Sequence, residues 1–168
     1  MPPWGGVVLG LDPGSRCTGY GIVREAGGTV SLVDTGTIRL PAELDLGEKL
    51  GRIFTRVAEL IQTFAPQESA LEDVFMSKNA ASALKLGQAR GAALAACAVN
   101  GLHTATYTPA MVKKTLVGRG RADKGQVAFM VGQILGCPPN WAEDASDALA
   151  VAICHLNQRR WQKVVGGP

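Results

Sequence analysis

Four acidic residues sit where a carboxylate could do chemistry: Asp12, Glu72, Asp144 and Asp147. Asp12 closes an apolar run, Val7–Asp12, and Pro13-Gly14 follows. A buried strand entering a tight turn holds a carboxylate still and leaves it reachable, which suits a metal ligand or a general base. Asp before Pro-Gly is also ordinary turn chemistry. Glu72 closes a second short run, Ser69–Glu72. Asp144 and Asp147, in AEDASDALA, are three apart and share a helix face. They fall in its first turns, where the helix dipole favours negative charge, so a helix-starting role competes with a functional one. Acids converging from separated stretches repel one another unless a cation compensates. Oxygen donors of this kind select Mg²⁺ or Mn²⁺. Two such ions roughly 3.5–4 Å apart, bridged by Asp12, would activate a water and stabilise the leaving oxygen of a phosphodiester.

The basic residues point the same way. Residues 110–124 hold Lys113, Lys114, Arg119, Arg121 and Lys124 against one acid, Asp123, a balance of +4 in a chain whose formal net charge is +3. Gly118 and Gly120 loosen the stretch. A mobile basic loop suits a phosphate backbone, through charge and counterion release; a solvated surface loop is the plainer alternative. Phe75 follows Glu72 by three in DVFMSK. An aromatic there could stack on an unpaired base, or simply finish a buried strand. His155 reads as a helix-face residue, His103 as lacking acidic company and Trp141 as packing where the last helix begins. Nothing makes Cys17 a nucleophile.

Periodicity supplies the elements that would position these groups. Val7–Asp12, Thr18–Arg24 and a stretch within Val30–Leu40 read as three antiparallel strands, with Gly27-Gly28 turning the second into the third. Leu44–Phe64 reads as a helix with an apolar stripe from Leu46 to Phe64, stopped at Pro66. Ser69–Glu72 is a fourth strand. Asn79–Val99 is a helix rich in small residues, with Gly87 and Gly91 suiting internal packing or a dimer seam. Thr104–Tyr107 is a fifth strand, Pro109–Val117 a short helix and Asp123–Leu135 another, capped by Asp123. The last helix starts after Asn140, with Glu143 completing a capping-box variant, and runs to about Trp161. This order implies an α/β fold, a five-stranded mixed sheet flanked by helices. The first and fourth strands would lie side by side, bringing Asp12 next to Glu72.

At 168 residues and 46% apolar composition, one domain spanning 1–168 is expected, with residues 1–6 and 163–168 loose. No apolar run approaches a membrane span and no signal pattern is visible. Cys17, Cys97, Cys137 and Cys154 show no pairing rhythm, which suggests a reduced, cytoplasmic protein without membrane or zinc partners.

GLDPGSRCTGYG, LEDVFMSKNAASALKLGQARG, VKKTLVGRGRADKGQV and EDASDALAVAICH together resemble the four signature stretches of the RuvC family of Holliday junction resolvases, in order from about Val7 to His155. The resemblance implies a ribonuclease H-like fold and a homodimer. It also implies symmetric, metal-dependent cutting of four-way DNA junctions by direct hydrolysis, leaving 5′-phosphate ends, and work beside the RuvA–RuvB branch-migration complex. Carried over by position, the catalytic acids and metal ligands are Asp12, Glu72, Asp144 and Asp147, serving two Mg²⁺ or Mn²⁺ ions per site. Some relatives have His where this chain has Asp144, so an all-carboxylate site is expected here. Lys113 and Lys124 match lysines near the scissile phosphate. Phe75 matches an aromatic that contacts the junction, and Ser77, Lys78 and Asn79 would then line the DNA groove. Arg16, Lys85, Lys114, Arg119 and Arg121 are further candidates for DNA contact. Two other readings compete. Asp12, Gly14 and Gly19 fit the D-x-G-x-x-x-x-G phosphate loop of the actin and sugar-kinase superfamily, which implies a phosphotransferase. The basic loop alone would serve an architectural DNA-binding protein without chemistry.

Overall fold

Side-chain alternation along the central strands decides which layer each residue joins. A computed structural model describes residues 5–73 and 79–166. β1 (Gly6–Asp12) is buried up to its last residue, Asp12, which is half-buried. Leu9 and Leu11 point into one apolar layer and Val8 into another. With a period of two, Gly10 and Asp12 face the same side as Val8. The same rule acts in β4 (Glu68–Glu72): Leu71 belongs to the first layer and Ala70 to the second, so Glu68 and Glu72 share Ala70's side.

The sheet has five strands in the order β3-β2-β1-β4-β5. β2 (Cys17–Ala26) pairs antiparallel with both β1 and β3 (Thr29–Arg39), while β4 runs parallel to β1 and β5 (Thr104–Tyr107) parallel to β4. The expected mixed sheet, with its first three strands antiparallel, is what forms. Gly27 and Gly28 both have positive φ, 58° and 82°, as the tight β2–β3 turn requires. Leu11 pairs with Leu71, so Asp12 and Glu72 stand side by side at the ends of adjacent parallel strands.

One face of the sheet carries α1 (Leu46–Phe64) and α2 (Ala80–Val99), packed through Ile53, Val57, Leu60, Ala89, Ala93 and Cys97. The other carries α3 (Pro109–Val117), α4 (Lys124–Leu135) and α5 (Glu143–Val165), packed through Val112, Leu116, Val127, Val131 and the buried run Leu149–Leu156. Trp141 packs against this second layer, as expected. In α2 the alanines serve the internal contact with α1, whereas Gly87 and Gly91 have open space around them.

Four helix starts differ from expectation, for local reasons. α1 begins at Leu46 because Asp45 caps it in a full capping box with Glu48, and Leu46 itself is exposed. Asn79 and Asp123 are caps, one residue outside the helices they start. The Asn140–Glu143 box does not form. α5 starts at Glu143 after Ala142, which offers no side-chain cap, and the Glu143 carboxylate goes to Lys124 instead. At its far end α5 continues past Trp161 to Val165.

α5 lies directly on β1 and β2 because glycines line its seat. A Cβ added at Gly10 would strike the Ala148 carbonyl and come within 2.8 Å of the Ala152 Cβ; one at Gly21 would reach 2.6 Å from the Leu149 side chain. One at Gly19 would overlap the Asp144 carbonyl. The seat therefore runs along β1 from Asp12 back toward Gly6, beneath successive turns of α5. Gly19, which fits a phosphate-loop pattern in the sequence, is accounted for by this close approach.

Candidate active site

Three elements bring the four acids together. Asp12 ends β1, Glu72 ends β4, and Asp144 and Asp147 occupy the first turns of α5 over the glycine seat. Burial pushes the Asp12 carboxyl up to about 8, and Asp147, Glu72 and Asp144 push in the same direction. Glu72 is pushed up to about 7, by burial first and then by Asp147, while Lys124 and Lys113 pull it back. Asp147 is also raised, by burial first, against the opposing pull of Lys124. The Cys17 thiol is raised by burial and by the neighbouring Asp144 carboxylate. This thiol stays protonated, in line with no nucleophilic role.

These carboxylates are short of positive charge. A hard divalent cation supplies what they lack, and an all-oxygen donor set fits one chemically. Among the described residues no three His, Cys, Asp or Glu side chains already stand close enough to hold an ion.

Lys124 reaches the acids from the first residue of α4. Its ammonium hydrogen-bonds Glu143 and lies 3.5 Å from Asp147. Lys113, on α3, is half-buried and acts on Glu72. Thr108 caps α3 through a 3.2 Å bond from the Met111 N–H, and Pro109 begins the helix. Lys114 points elsewhere, into a groove with Met111, Gln158 and Trp161, far along α5 from the acids.

Of the remaining candidates, Arg16 is exposed on the β1–β2 loop and lines a shallow groove of about 550 Å³ that includes Asp144 and Arg39. Arg119 and Arg121 are exposed in the α3–α4 connection. Lys85 is exposed on α2 and lines a separate cleft of about 760 Å³ with Leu46, Leu50 and Leu84, to which Arg16 also contributes. The structure therefore does not bring Lys85 to the acids. The Asn79 side chain accepts a hydrogen bond from the Ala81 N–H as the α2 cap. Phe75, Ser77 and Lys78 lie outside the described residues.

Sequence reasoning missed a polar network under the same helix. His155 is buried and bonded on both ring nitrogens, Nδ1 to the Tyr107 hydroxyl at 2.8 Å and Nε2 to Glu68 at 3.1 Å. Arg159 donates to Glu68 and to the buried Glu25, each at 2.7 Å, and Arg160 also pairs with Glu25. These bonds tie α5 to β2, β4 and β5. The sequence signal was the i, i+4 pair His155 and Arg159, on the face that also carries Asp144 and Asp147.

Comparison with known proteins agrees with this geometry. The family model described as "Crossover junction endodeoxyribonuclease RuvC" matches residues 8–155. A protein of that name from Solidesulfovibrio magneticus is 60% identical over 161 residues, 96% of this chain and 95% of the relative. One from Oleidesulfovibrio alaskensis is 53% identical over 99% of this chain and 100% of the relative. The solved structure of Thermus thermophilus RuvC in complex with Holliday junction substrate superposes with a TM-score of 0.88 at 35% identity, covering 92% of this chain and 95% of that one. The yeast mitochondrial Holliday junction resolvase shares the fold alone, at a TM-score of 0.71 and 11% identity over 94% and 82% of the two chains. The fold is thus ribonuclease H-like. A family model that matches residues 8–155 and a relative 60% identical over 96% of this chain mean that the chain belongs to the RuvC family of crossover junction endodeoxyribonucleases.

Proposed function

We propose that this protein resolves four-way DNA junctions in homologous recombination and repair, by hydrolysing one phosphodiester in each of two opposed strands. The observation that carries the reading is the convergence of Asp12, Glu72, Asp144 and Asp147 from β1, β4 and α5, with burial and like charge leaving the group in need of a cation. Family members depend on a metal. Asp12, Glu72, Asp144 and Asp147 would hold two Mg²⁺ or Mn²⁺ ions, which would supply an activated water and charge to stabilise the leaving oxygen.

The chain's own residues do the rest. Asp12 and Glu72 are fixed by the parallel β1–β4 pair, so they give up little order on taking a ligand. The glycine seat sets the depth of Asp144 and Asp147 beneath the incoming backbone. Lys113 and Lys124 offset charge that builds on the phosphate as the bond breaks. Arg16, Arg119 and Arg121 hold the DNA backbone, with Lys78, Lys85, Lys114, Ser77 and Asn79 as outer contacts, and Phe75 stacks on a base at the crossover. A homodimer places two such sites on the two-fold junction, matching protein symmetry to substrate symmetry. Function as a single cytoplasmic domain beside the RuvA–RuvB motor completes the reading. Among the described residues no helix is long and apolar enough to cross a membrane.

The test is cleavage of a labelled mobile four-way junction beside a linear duplex of the same sequence, with Mg²⁺, Mn²⁺ or chelator. Paired, ligatable nicks in the junction alone, abolished by chelator, support the reading. Tight junction binding without a nick in either metal would move the protein to an architectural role.

A further inference from the structure

Lys124 occupies a poor position for a lysine. It is the first residue of α4, at the positive end of the helix dipole, where a cation costs stability. The Asp123–Gln126 capping box fixes the backbone there, with bonds of 2.8 and 3.1 Å. Such placement asks for a partner, and α5 provides two. The ammonium sits on Glu143, the first residue of α5, and only touches Asp147 at 3.5 Å. The hydrogen bond that Lys124 donates to Glu143 is the largest influence on the ammonium, which is also sensed by Asp12 and Glu72. Glu143 is two-thirds exposed and belongs to neither apolar layer. The capping role expected for it is not what its carboxylate does.

The partition matters because Lys124 and a cation compete for Asp147. An ammonium seated on Asp147 repels an incoming divalent ion and occupies one of its ligands. An ammonium shared with Glu143 stays at the rim of the site and meets Asp147 only at the outer limit of hydrogen-bond reach, 3.5 Å. We propose that Glu143 is a positioning residue that keeps Lys124 within reach of the scissile phosphate while holding it off Asp147. Removal of the Glu143 charge lets Lys124 settle on Asp147 and weakens cation uptake. This rests on Asp147 being a cation ligand.

The test is Mn²⁺ binding to the DNA-free protein, by calorimetry or by electron paramagnetic resonance of the free ion. It uses wild type, Glu143→Gln, Lys124→Gln and the double variant. Glu143→Gln is expected to weaken Mn²⁺ binding about two- to fivefold, the scale of an exposed ion pair. In the Lys124→Gln background the same change should have little effect, because there is no ammonium left to redirect. An equal loss in both backgrounds would mean that Glu143 acts only as one more negative charge, and would overturn the proposal. So would unchanged binding in Glu143→Gln. Failure of the wild-type protein to bind Mn²⁺ would overturn the cation-ligand assignment itself, a different result from binding that ignores Glu143.

Discussion

Replacing Gly19 by alanine tests whether the seat of α5 sets the geometry of the site. A Cβ at residue 19 would lie about 1 Å inside the 3.0 Å limit that real Cβ atoms keep, against the carbonyl oxygen of Asp144, and 2.9 Å from the Ala145 nitrogen. Both are main-chain atoms in the first turn of α5, so no rotamer change relieves them. Relief must lift that end of the helix by about 1 Å, carrying Asp144 and Asp147 away from Asp12 and Glu72. A misplacement of about 1 Å costs on the order of 100-fold in rate. Overpacking of this kind costs about 1–3 kcal/mol of stability, so the variant should still fold. The assay is single-turnover cleavage of a synthetic junction at saturating protein, with urea denaturation alongside. Cleavage should fall about 100-fold, while junction binding changes little because the basic α3–α4 connection is untouched. Gly87→Ala is the control: its Cβ meets nothing within 4 Å on an exposed helix face. It should cut normally and gain about 0.5–1 kcal/mol. A Gly19→Ala protein that cuts within two- or threefold of wild type would refute the argument.

Two further predictions concern charge. The folded-state pKa of Asp12, about 8, lies above the ordinary 3.8, so between these values the native state holds a proton that the unfolded chain has lost. Stability in chelator should therefore fall as pH rises from about 4 to 8, and Asp12→Asn should make that loss smaller, leaving the share that the raised Glu72 and Asp147 contribute. The stability gap between variant and wild type should widen by up to about 1.4 kcal/mol per pH unit and shrink when Mn²⁺ is added. Parallel stability curves would rule this out. Glu25 is only 3% exposed and answers both Arg159 and Arg160. Glu25→Ala should cost about 3 kcal/mol in urea denaturation, with a lower midpoint and an unchanged slope. A loss under about 0.5 kcal/mol would show the network to be idle.

The sheet and most helices were legible because their signals are local: apolar runs of strand length, a 3.6-residue stripe in α1, and glycine or proline at element ends. The adjacency of Asp12 and Glu72 followed from topology, since the chain, after the antiparallel β1–β3 meander and the α1 crossover, returns as β4 in parallel beside β1. Other features depend on partners distant in sequence. Gly19 looks like a phosphate-loop glycine, and Gly10 and Gly21 like ordinary strand residues, until α5 is laid across them. Glu143 looks like half of a capping box until Lys124, nineteen residues earlier, claims it. His155 has no acidic neighbour in sequence; its partner Glu68 is 87 residues away. The two adjacent lysines of α3 could not be separated by type. Only the rotation of the helix sends Lys113 toward Glu72 and Lys114 toward Trp161.

The most direct test of the carboxylate site is Asp144→Asn, because Asp144 is the acid with a ready alternative role as a helix starter. Junction binding and junction cleavage would be measured on one preparation with Mg²⁺ and with Mn²⁺. The account predicts binding at least as tight as wild type and no paired nicks in either metal. Cleavage at the wild-type rate would return Asp144 to the role of opening α5 and contradict the four-carboxylate site.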